Sequence, residues 1–378
     1  GLTLTTGTPY EYRVAVVEAG NTSPYSAPVE FMITPGNALT FNGVNDYIAV
    51  GPIAELQSTA NFSFETWFRL ESYNQVVFLG NPLAGYSGGP NRLSIATSNP
   101  GRAGYEDFEI WLENGGGTYA NTNEDLIKLN TWYHLAVTYD GAGVANADKL
   151  KLYLNGEEKT LTFPGGTLPS TTSAVTRPFA ISANGGGDGN YIDGQLDEMR
   201  LWANTLSISD IQSRQFTTIS GAEANLITYY RFDETTGTTL PDLVGTYDGT
   251  LTNMDGSEWT TSEAMAPTVY QATGITTTHF TANWEAVSFA DQIDIQYSSD
   301  GFSSDINTVN VTGGAETGST YDVTGLTLTA GTKYAYRVAV VEAGNTSPYS
   351  APVEFMVSPG NALDFDGTDD YVVIPPSS

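Results

Sequence analysis

Residues 10–39 read YEYRVAVVEAGNTSPYSAPVEFMITPGNAL, and residues 334–363 read YAYRVAVVEAGNTSPYSAPVEFMVSPGNAL. The two copies stand 324 residues apart, counted from Tyr10 to Tyr334. Beyond the shared Gly-Asn-Ala-Leu the match loosens but continues, since FNGVNDYIAV at 41–50 becomes FDGTDDYVVI at 365–374. Self-similarity at a fixed period is the mark of a tandem array. The sequence therefore holds one period plus 54 residues. A terminal piece holding only a few strands cannot bury a core by itself, so both ends are expected to fall inside domains of a longer repeat protein.

The composition agrees with folded β domains. The 378 residues contain 40 Gly and 18 Pro, a turn-rich chain, yet 40% are hydrophobic and 22 Tyr, 16 Phe and 6 Trp supply core volume. Forty-three acidic residues against 14 basic ones give a net charge of −29, spread along the chain. Such a surface repels phosphate polymers, which excludes a nucleic-acid partner, and it suits divalent cations. With no Cys, disulfide scaffolding, thiol catalysis and thiolate metal sites are excluded, although secretion is not. Two histidines, His134 and His279, constrain histidine chemistry, and no run of about 18 apolar residues is available to span a membrane.

Local patterns predict strands almost throughout. Phe62, Phe64, Thr66, Phe68 and Leu70 alternate with Ser63, Glu65, Trp67 and Arg69. Leu150, Leu152 and Leu154 alternate ahead of Asn155-Gly156, a hairpin turn pair. One short helix is expected over 208–215, because Ser207 followed by Asp210 has the form of a capping box. Many short strands without intervening helices predict an all-β chain of antiparallel sandwiches.

Two resemblances cover nearly all of it. Residues 263–358 resemble a fibronectin type III (Ig-like) sandwich: Ala266-Pro267 enters the first strand, Trp284 lies within FTANWEAV, and Leu328 to Tyr334 has the spacing of a tyrosine corner. Residues 1–35 resemble the C-terminal part of another copy. Trp284 is then core, and Tyr334 bonds a nearby backbone group. Residues 36–262 resemble a concanavalin-A-like (laminin-G-like, pentraxin-like) jelly roll. The resemblance rests on ordered motifs, ALTFNGVNDYIAV, FSFETWF, NTWYHLAVTYDG, KLKLYLNGEEK, FAISANGGG, YIDGQLDEMRLWANTLSISDI and YYRFDETTGTTLPDLVGTYDGTL. Residues 359–378 are similar to the opening strand of the next jelly roll, which makes the whole a tandem-repeat array. The resemblance implies two packed antiparallel sheets and, frequently, Ca2+ and glycan binding; it does not fix one function.

For calcium, the resemblance puts forward Asp46 and Asp197, with backbone carbonyls near Asn42 and Gly43 completing an oxygen shell. The alternative is that these Asp and Asn residues form turns and hold no ion. A second loop, Asn184, Asp188 and Asn190, stands where pentraxin-type relatives hold calcium, but Gly185, Gly186 and Gly187 replace their acidic residues. For sugar, the useful feature is an aromatic ring on a polar strand face, flanked by groups that take hydroxyls. Trp111 shares such a face with Glu109 and Glu113, Trp67 with Glu65 and Arg69, and Trp202 with Arg200. Tyr86 and Tyr105, in Gly-rich loops, add candidate edge contacts. For Trp67 the alternative is packing between layers.

Enzymatic chemistry finds little purchase. The laminarinase-type pattern Glu-x-Asp-x-x-Glu is absent; YEDFEIWLEN places Glu109 and Glu113 on one strand face, which leaves a carboxylate pair geometrically open. His134 sits in a β-run without a nucleophile-elbow serine and reads as structural. The sequence therefore predicts a non-enzymatic repeat segment of an extracellular adhesin at a bacterial cell surface or in secreted form. Its jelly roll is expected to bind a polysaccharide or glycoconjugate with calcium assistance, between fibronectin type III spacers. The alternatives are a filament subunit that binds copies of itself and, further off, a polysaccharide hydrolase.

Overall fold

The computed structural model describes residues 9–12, 15, 17–18, 21–23, 29–32, 36–81, 91–99, 101, 103–116, 118–164, 166–185, 187 and 189–358. Near the start, Pro9–Tyr12 pairs antiparallel with Val29–Met32, and Val17–Glu18 with Asn21–Thr22. The expected second opening strand at 359–378 lies outside the described residues.

The first sandwich is built from β1 (Asn37–Asn42), β2 (Tyr47–Pro52), β3 (Asn61–Leu70), β4 (Val77–Gly80), β5 (Leu93–Thr97), β6 (Phe108–Leu112), β7 (Tyr119–Asn121) and β8 (Trp132–Asp140). It continues with β9 (Leu150–Leu154), β10 (Glu157–Lys159), β11 (Pro178–Ile181), β12 (Asp193–Trp202), β13 (Leu226–Tyr230), β14 (Thr239–Leu240), β15 (Gly249–Thr252) and β16 (Trp259–Thr261). A front sheet runs β7-β6-β5-β4-β11-β2-β15-β14, and a back sheet β10-β9-β8-β3-β12-β1-β16 with β13 also on β12. Every described pairing is antiparallel, so each strand puts alternate residues into the space between the sheets. Phe64, Phe68, Phe78, Phe108, Ile110 and Leu135 fill it. At about 25 cal/mol per Å² of apolar surface removed from water, this core is the main stabilising term.

Turn chemistry matches the sequence. Asn155 and Gly156 both take positive φ, 50° and 74°, as a two-residue hairpin between β9 and β10 demands. A bulge in β12 between Asp197 and Arg200, with Glu198 at φ 50°, shifts the register so that Arg200 faces Glu65. Helix α1 is a single turn, Asn146–Lys149. Helix α2 spans Ile208–Arg214 and is capped by Ser207, which accepts from the Asp210 backbone N–H while the Asp210 side chain reaches back. Its Ile211 packs with Ala136, Tyr153, Trp202 and Leu206 on the outer side of the back sheet. The back sheet is thus buried on both faces.

The second sandwich contains β17 (His279–Asn283), β18 (Gln292–Ser298), β19 (Asn307–Val311), β20 (Thr320–Thr324), β21 (Lys333–Glu342), β22 (Asn345–Thr346) and β23 (Val353–Met356). Strands β17 and β20 form one sheet; β19-β18-β21-β22, with β23 on β21, forms the other. Trp284 is fully buried, and the Tyr334 hydroxyl accepts from the Thr329 backbone N–H at 3.1 Å, so both residues behave as expected. The two sandwiches share one apolar cluster, in which Ala38, Trp67, Trp132 and Phe216 join Phe280, Trp284 and Ile293. Phe216 stacks on Phe289 with centroids 6.3 Å apart, and Ser288 Oγ donates to Glu157 Oε1 at 3.0 Å.

One glycine holds the back sheet at its tightest point. Gly194 in β12 has φ 147°, and a Cβ there would stand 2.0 Å from the Arg69 carbonyl oxygen, a backbone atom that cannot swing away. Gly194→Ala is expected to destabilise the first sandwich by about 3 kcal/mol, from strain at a special backbone position. Calorimetry should show the melting temperature of the intact chain falling by about 5 °C; an unchanged melt would mean that β12 and β3 do not approach as described.

Candidate functional site

The predicted aromatic faces separate into two kinds. In β3 the alternation places Glu65, Trp67 and Arg69 opposite Phe64 and Phe68, on the outer side of the back sheet. That side is covered, and Trp67 is only 4% exposed. Its indole N–H donates to the Gln215 carbonyl oxygen at 2.8 Å, and its ring lies against His134 and Phe216. Trp202 is also buried, donating from Nε1 to Glu65 Oε2 at 2.7 Å. Neither ring is an open sugar platform, because α2 and the chain following it form a third layer over this face. Packing, the alternative reading for Trp67, is the one the fold adopts.

Beneath that layer lies a buried charged network. Arg200 donates to Glu198 Oε2 at 2.6 Å, to the Arg214 carbonyl at 3.0 Å and to the Thr217 carbonyl at 2.6 Å. Tyr229 donates to the same Glu198 oxygen at 2.5 Å. Burial raises the Glu65 carboxyl above the usual range, with Arg200 opposing, and burial likewise raises Glu198. His134 is pushed down to about 3, first by burial and then by the Arg200 charge. Its 3.6 Å approach to Glu65 Oε1 is therefore made by a neutral imidazole.

Trp111 is placed differently. Phe108, Ile110 and Leu112 of β6 enter the core, so Glu109 and Trp111 stand on the outer face of the front sheet. Trp111 is half-buried. Tyr119, its cross-strand partner on β7, stacks on it with centroids 4.7 Å apart, and the Arg92 guanidinium lies 4.5 Å from the ring centroid. Glu109 is fully buried and accepts the Trp111 indole N–H, so it orients the ring and cannot reach a ligand. Glu113 is half-buried; burial raises its carboxyl, with Arg92 opposing. Tyr105 is half-buried in the turn ahead of β6, and Tyr86 lies outside the described residues. The row continuing across the front sheet from Trp111 is Ser94, Gly80, Ala180, Ala49 and Thr250, all small residues. Arg92 and Tyr119 complete the aromatic stack, and only the cross-strand register, not the local pattern, brings them to Trp111.

The expected calcium ligands do not converge. The Asp46 carboxylate accepts from the Asn42 backbone N–H at 3.0 Å and from Asn42 Nδ2 at 2.9 Å, while Asn42 Oδ1 caps the backbone N–H groups of Val44, Asn45 and Asp46. These residues close a turn, the alternative weighed for them. Gly43, at φ 69°, packs against Asp193, and Asp193 rather than Asp197 stands opposite Asn42. Asp197 lies four residues farther along β12, about 13 Å. It is held by Ser262 Oγ and the Glu198 backbone N–H, and burial raises it well above the carboxylate range. This donor set does not fit one calcium shell. Among the described residues no group of three or more His, Asp or Glu side chains is poised to hold a metal. Asp188 of the second candidate loop lies outside the described residues.

Residues 42–212 match the family model described as the concanavalin A-like lectin/glucanases superfamily. The matched residues lie within the first sandwich. No curated protein matches the chain. Among solved structures, it is similar to a Bacteroides ovatus protein described as a candidate carbohydrate-binding protein, at 18% identity over 69% of this chain and 71% of that one, with a TM-score of 0.45. It is similar to a heptameric SAP-like pentraxin from Limulus polyphemus at 14% identity, over 47% and 81% of the chains, TM-score 0.33. It is also similar to the CBM40 of the Ruminococcus gnavus IT-sialidase bound to α2,3-sialyllactose, at 10% identity over 46% and 95%, TM-score 0.36. These likenesses are of fold alone.

The network under α2 has a pH signature. An imidazole whose value drops from 6.5 in the unfolded chain to about 3 in the fold binds its proton only on unfolding, so stability falls as pH falls between those values. The raised carboxylates act in the opposite direction, in wild type and variant alike. His134→Gln should therefore flatten the acid loss below pH 6.5, by a slope approaching about 1.4 kcal/mol per pH unit. Urea unfolding midpoints from pH 7 to 4 check this; parallel profiles would mean that His134 carries its charge in the fold.

Proposed function

We propose that the chain is a non-enzymatic repeat segment of an extracellular, bacterial-type surface or secreted protein, in which glycan-binding jelly rolls alternate with fibronectin type III spacers. The observation that carries the glycan reading is the half-buried Tyr119–Trp111–Arg92 stack on the outer face of the front sheet, its indole fixed by the buried Glu109. A ring locked in one orientation presents an apolar edge to a sugar without an ordering cost at binding. The small residues Ala49 and Thr250, both exposed, leave room farther along the same row. Among the described residues no helix is long and apolar enough to cross a membrane.

The spacer assignment is supported by the seven-strand second sandwich, the buried Trp284 and the Tyr334–Thr329 bond. The array assignment is supported by the near-identical copies 324 residues apart. Weak contacts in each repeat then add through effective concentration along the array. Hydrolysis gains no support, because Glu109 is sealed from solvent and serves the indole. Calcium has no part in this reading.

On a glycan array, Trp111→Ala and Tyr119→Ala are each expected to weaken binding at least about tenfold, with little change in melting temperature for Tyr119→Ala and a lower one for Trp111→Ala, which takes the indole N–H from buried Glu109. Undiminished binding in both variants would remove the front-sheet site. Strong self-association with no glycan bound would favour the filament instead.

A further inference from the structure

Four Asn-Gly pairs stand in the chain, at 42–43, 114–115, 155–156 and 184–185. A glycine after asparagine has no Cβ to shield its backbone nitrogen, so that nitrogen can close on the asparagine side-chain carbonyl carbon wherever the fold leaves both groups loose. Three of the pairs are held. Asn42 is exposed, but its Oδ1 accepts three backbone N–H groups, its Nδ2 donates to Asn45 and Asp46, and the Gly43 N–H donates to the Ile192 carbonyl at 2.8 Å. Asn155 is fixed at φ 50° in its hairpin with Oδ1 accepting from the His134 N–H at 2.9 Å, and Phe289 packs over Gly156. Asn184 is fully buried, which keeps water from it.

Asn114 is placed otherwise. With Gly115 and Gly116 it stands exposed in the connection from β6 to β7. Among the described residues its Oδ1 accepts no hydrogen bond and the Gly115 N–H donates none. Gly115 has φ 78°, and a Cβ there would meet nothing within 4 Å, so solvent reaches the nitrogen. The Asn114 Nδ2 donates to the Thr171 carbonyl at 3.2 Å, the Thr172 carbonyl at 3.3 Å and Thr171 Oγ1 at 3.4 Å. These bonds tie the connection to the 171–172 segment.

We infer that Asn114 is a site of spontaneous deamidation, selected by the fold from the four Asn-Gly pairs. The Gly115 nitrogen gives its proton to solvent and bonds to Cγ; the Cγ–Nδ2 bond breaks, and Nδ2 takes up a proton and leaves as ammonia, which closes a succinimide ring. Water then adds to either ring carbonyl and cleaves that carbonyl's bond to the ring nitrogen, leaving an aspartyl or an isoaspartyl residue. An amide and water are consumed, a carboxylate and ammonium are formed, and nothing is oxidised or reduced. The product sets a carboxylate oxygen where a donor had been, opposite the Thr171 and Thr172 carbonyls, which are acceptors only. The tether is lost three residues from Trp111. The edge of the front sheet is thereby altered irreversibly with time, whether or not that sheet binds a glycan.

The test incubates the full chain in buffer made with ¹⁸O water, folded and in urea, and follows all four pairs by peptide mass mapping. In the folded chain Asn114 is expected to convert at least about tenfold faster than Asn42, Asn155 or Asn184, with one ¹⁸O gained per event and an isoaspartyl fraction that protein isoaspartyl methyltransferase labels. The rate should rise with pH, because the Gly115 nitrogen must lose its proton, and in urea the four rates should converge. Asn114→Asp, which carries the aspartyl product from the start, is expected to speed hydrogen exchange over 113–116 and 171–172 and to leave the core strands unchanged. The inference is overturned if Asn114 stays intact in the folded chain while it converts in urea, if another of the four pairs converts as fast in the fold, or if Asn114→Asp leaves exchange at 171–172 as in the wild type.

Discussion

Arg200 fastens the molecule together. Its guanidinium, buried on the outer side of the back sheet, ties Glu198 on its own strand to the carbonyls of Arg214 and Thr217 at the end of α2. An Arg in such a place must satisfy its donors or forfeit several kcal/mol. Its two terminal nitrogens meet that demand and hold the 214–217 segment down on the sheet, while the buried Nε finds no partner among the described residues. Phe216 then covers Trp67, and the surface so made is the one on which Phe289 and the second sandwich pack. The bulge at Glu198 brings Arg200 into register with Glu65, so a backbone irregularity underlies the whole third layer.

The consequence for function is a division of faces. The back sheet of the first sandwich is spent on structure: its charged and aromatic residues bond one another and the second sandwich. On the proposed reading, ligand contacts fall to the front sheet. Asp197 illustrates the change of role. It stands on β12 near the seam and is bonded by Ser262 Oγ, in the segment that leaves β16 for the second sandwich, which makes it a joint residue.

The architecture was largely legible from sequence. Alternation gave the core faces of β3, β6 and β9 correctly, and Asn155-Gly156 and the Ser207 capping box appear as the hairpin and helix they predict. What alternation cannot reveal is whether the outward face meets water or another layer. Trp67 and Trp111 have the same local pattern, a Trp two residues from a Glu on the non-core face, yet one is buried and one half-exposed. The difference comes from residues 148 and 149 positions away from Trp67, Gln215 and Phe216, which no strand-level period links to it. Asp46 and Asp197 stand apart for a related reason: Asp193, four residues earlier on β12, is the residue opposite Asn42, and that long-range register is not written in the local pattern.

The central claim, that the first sandwich and the one after it are packed through a common apolar cluster as one unit, is tested most directly by scanning calorimetry of the intact chain. A shared core makes their unfolding cooperative, so both sandwiches should melt in one transition whose calorimetric and van't Hoff enthalpies agree. Two resolved transitions, each with the enthalpy of a single sandwich, would contradict it.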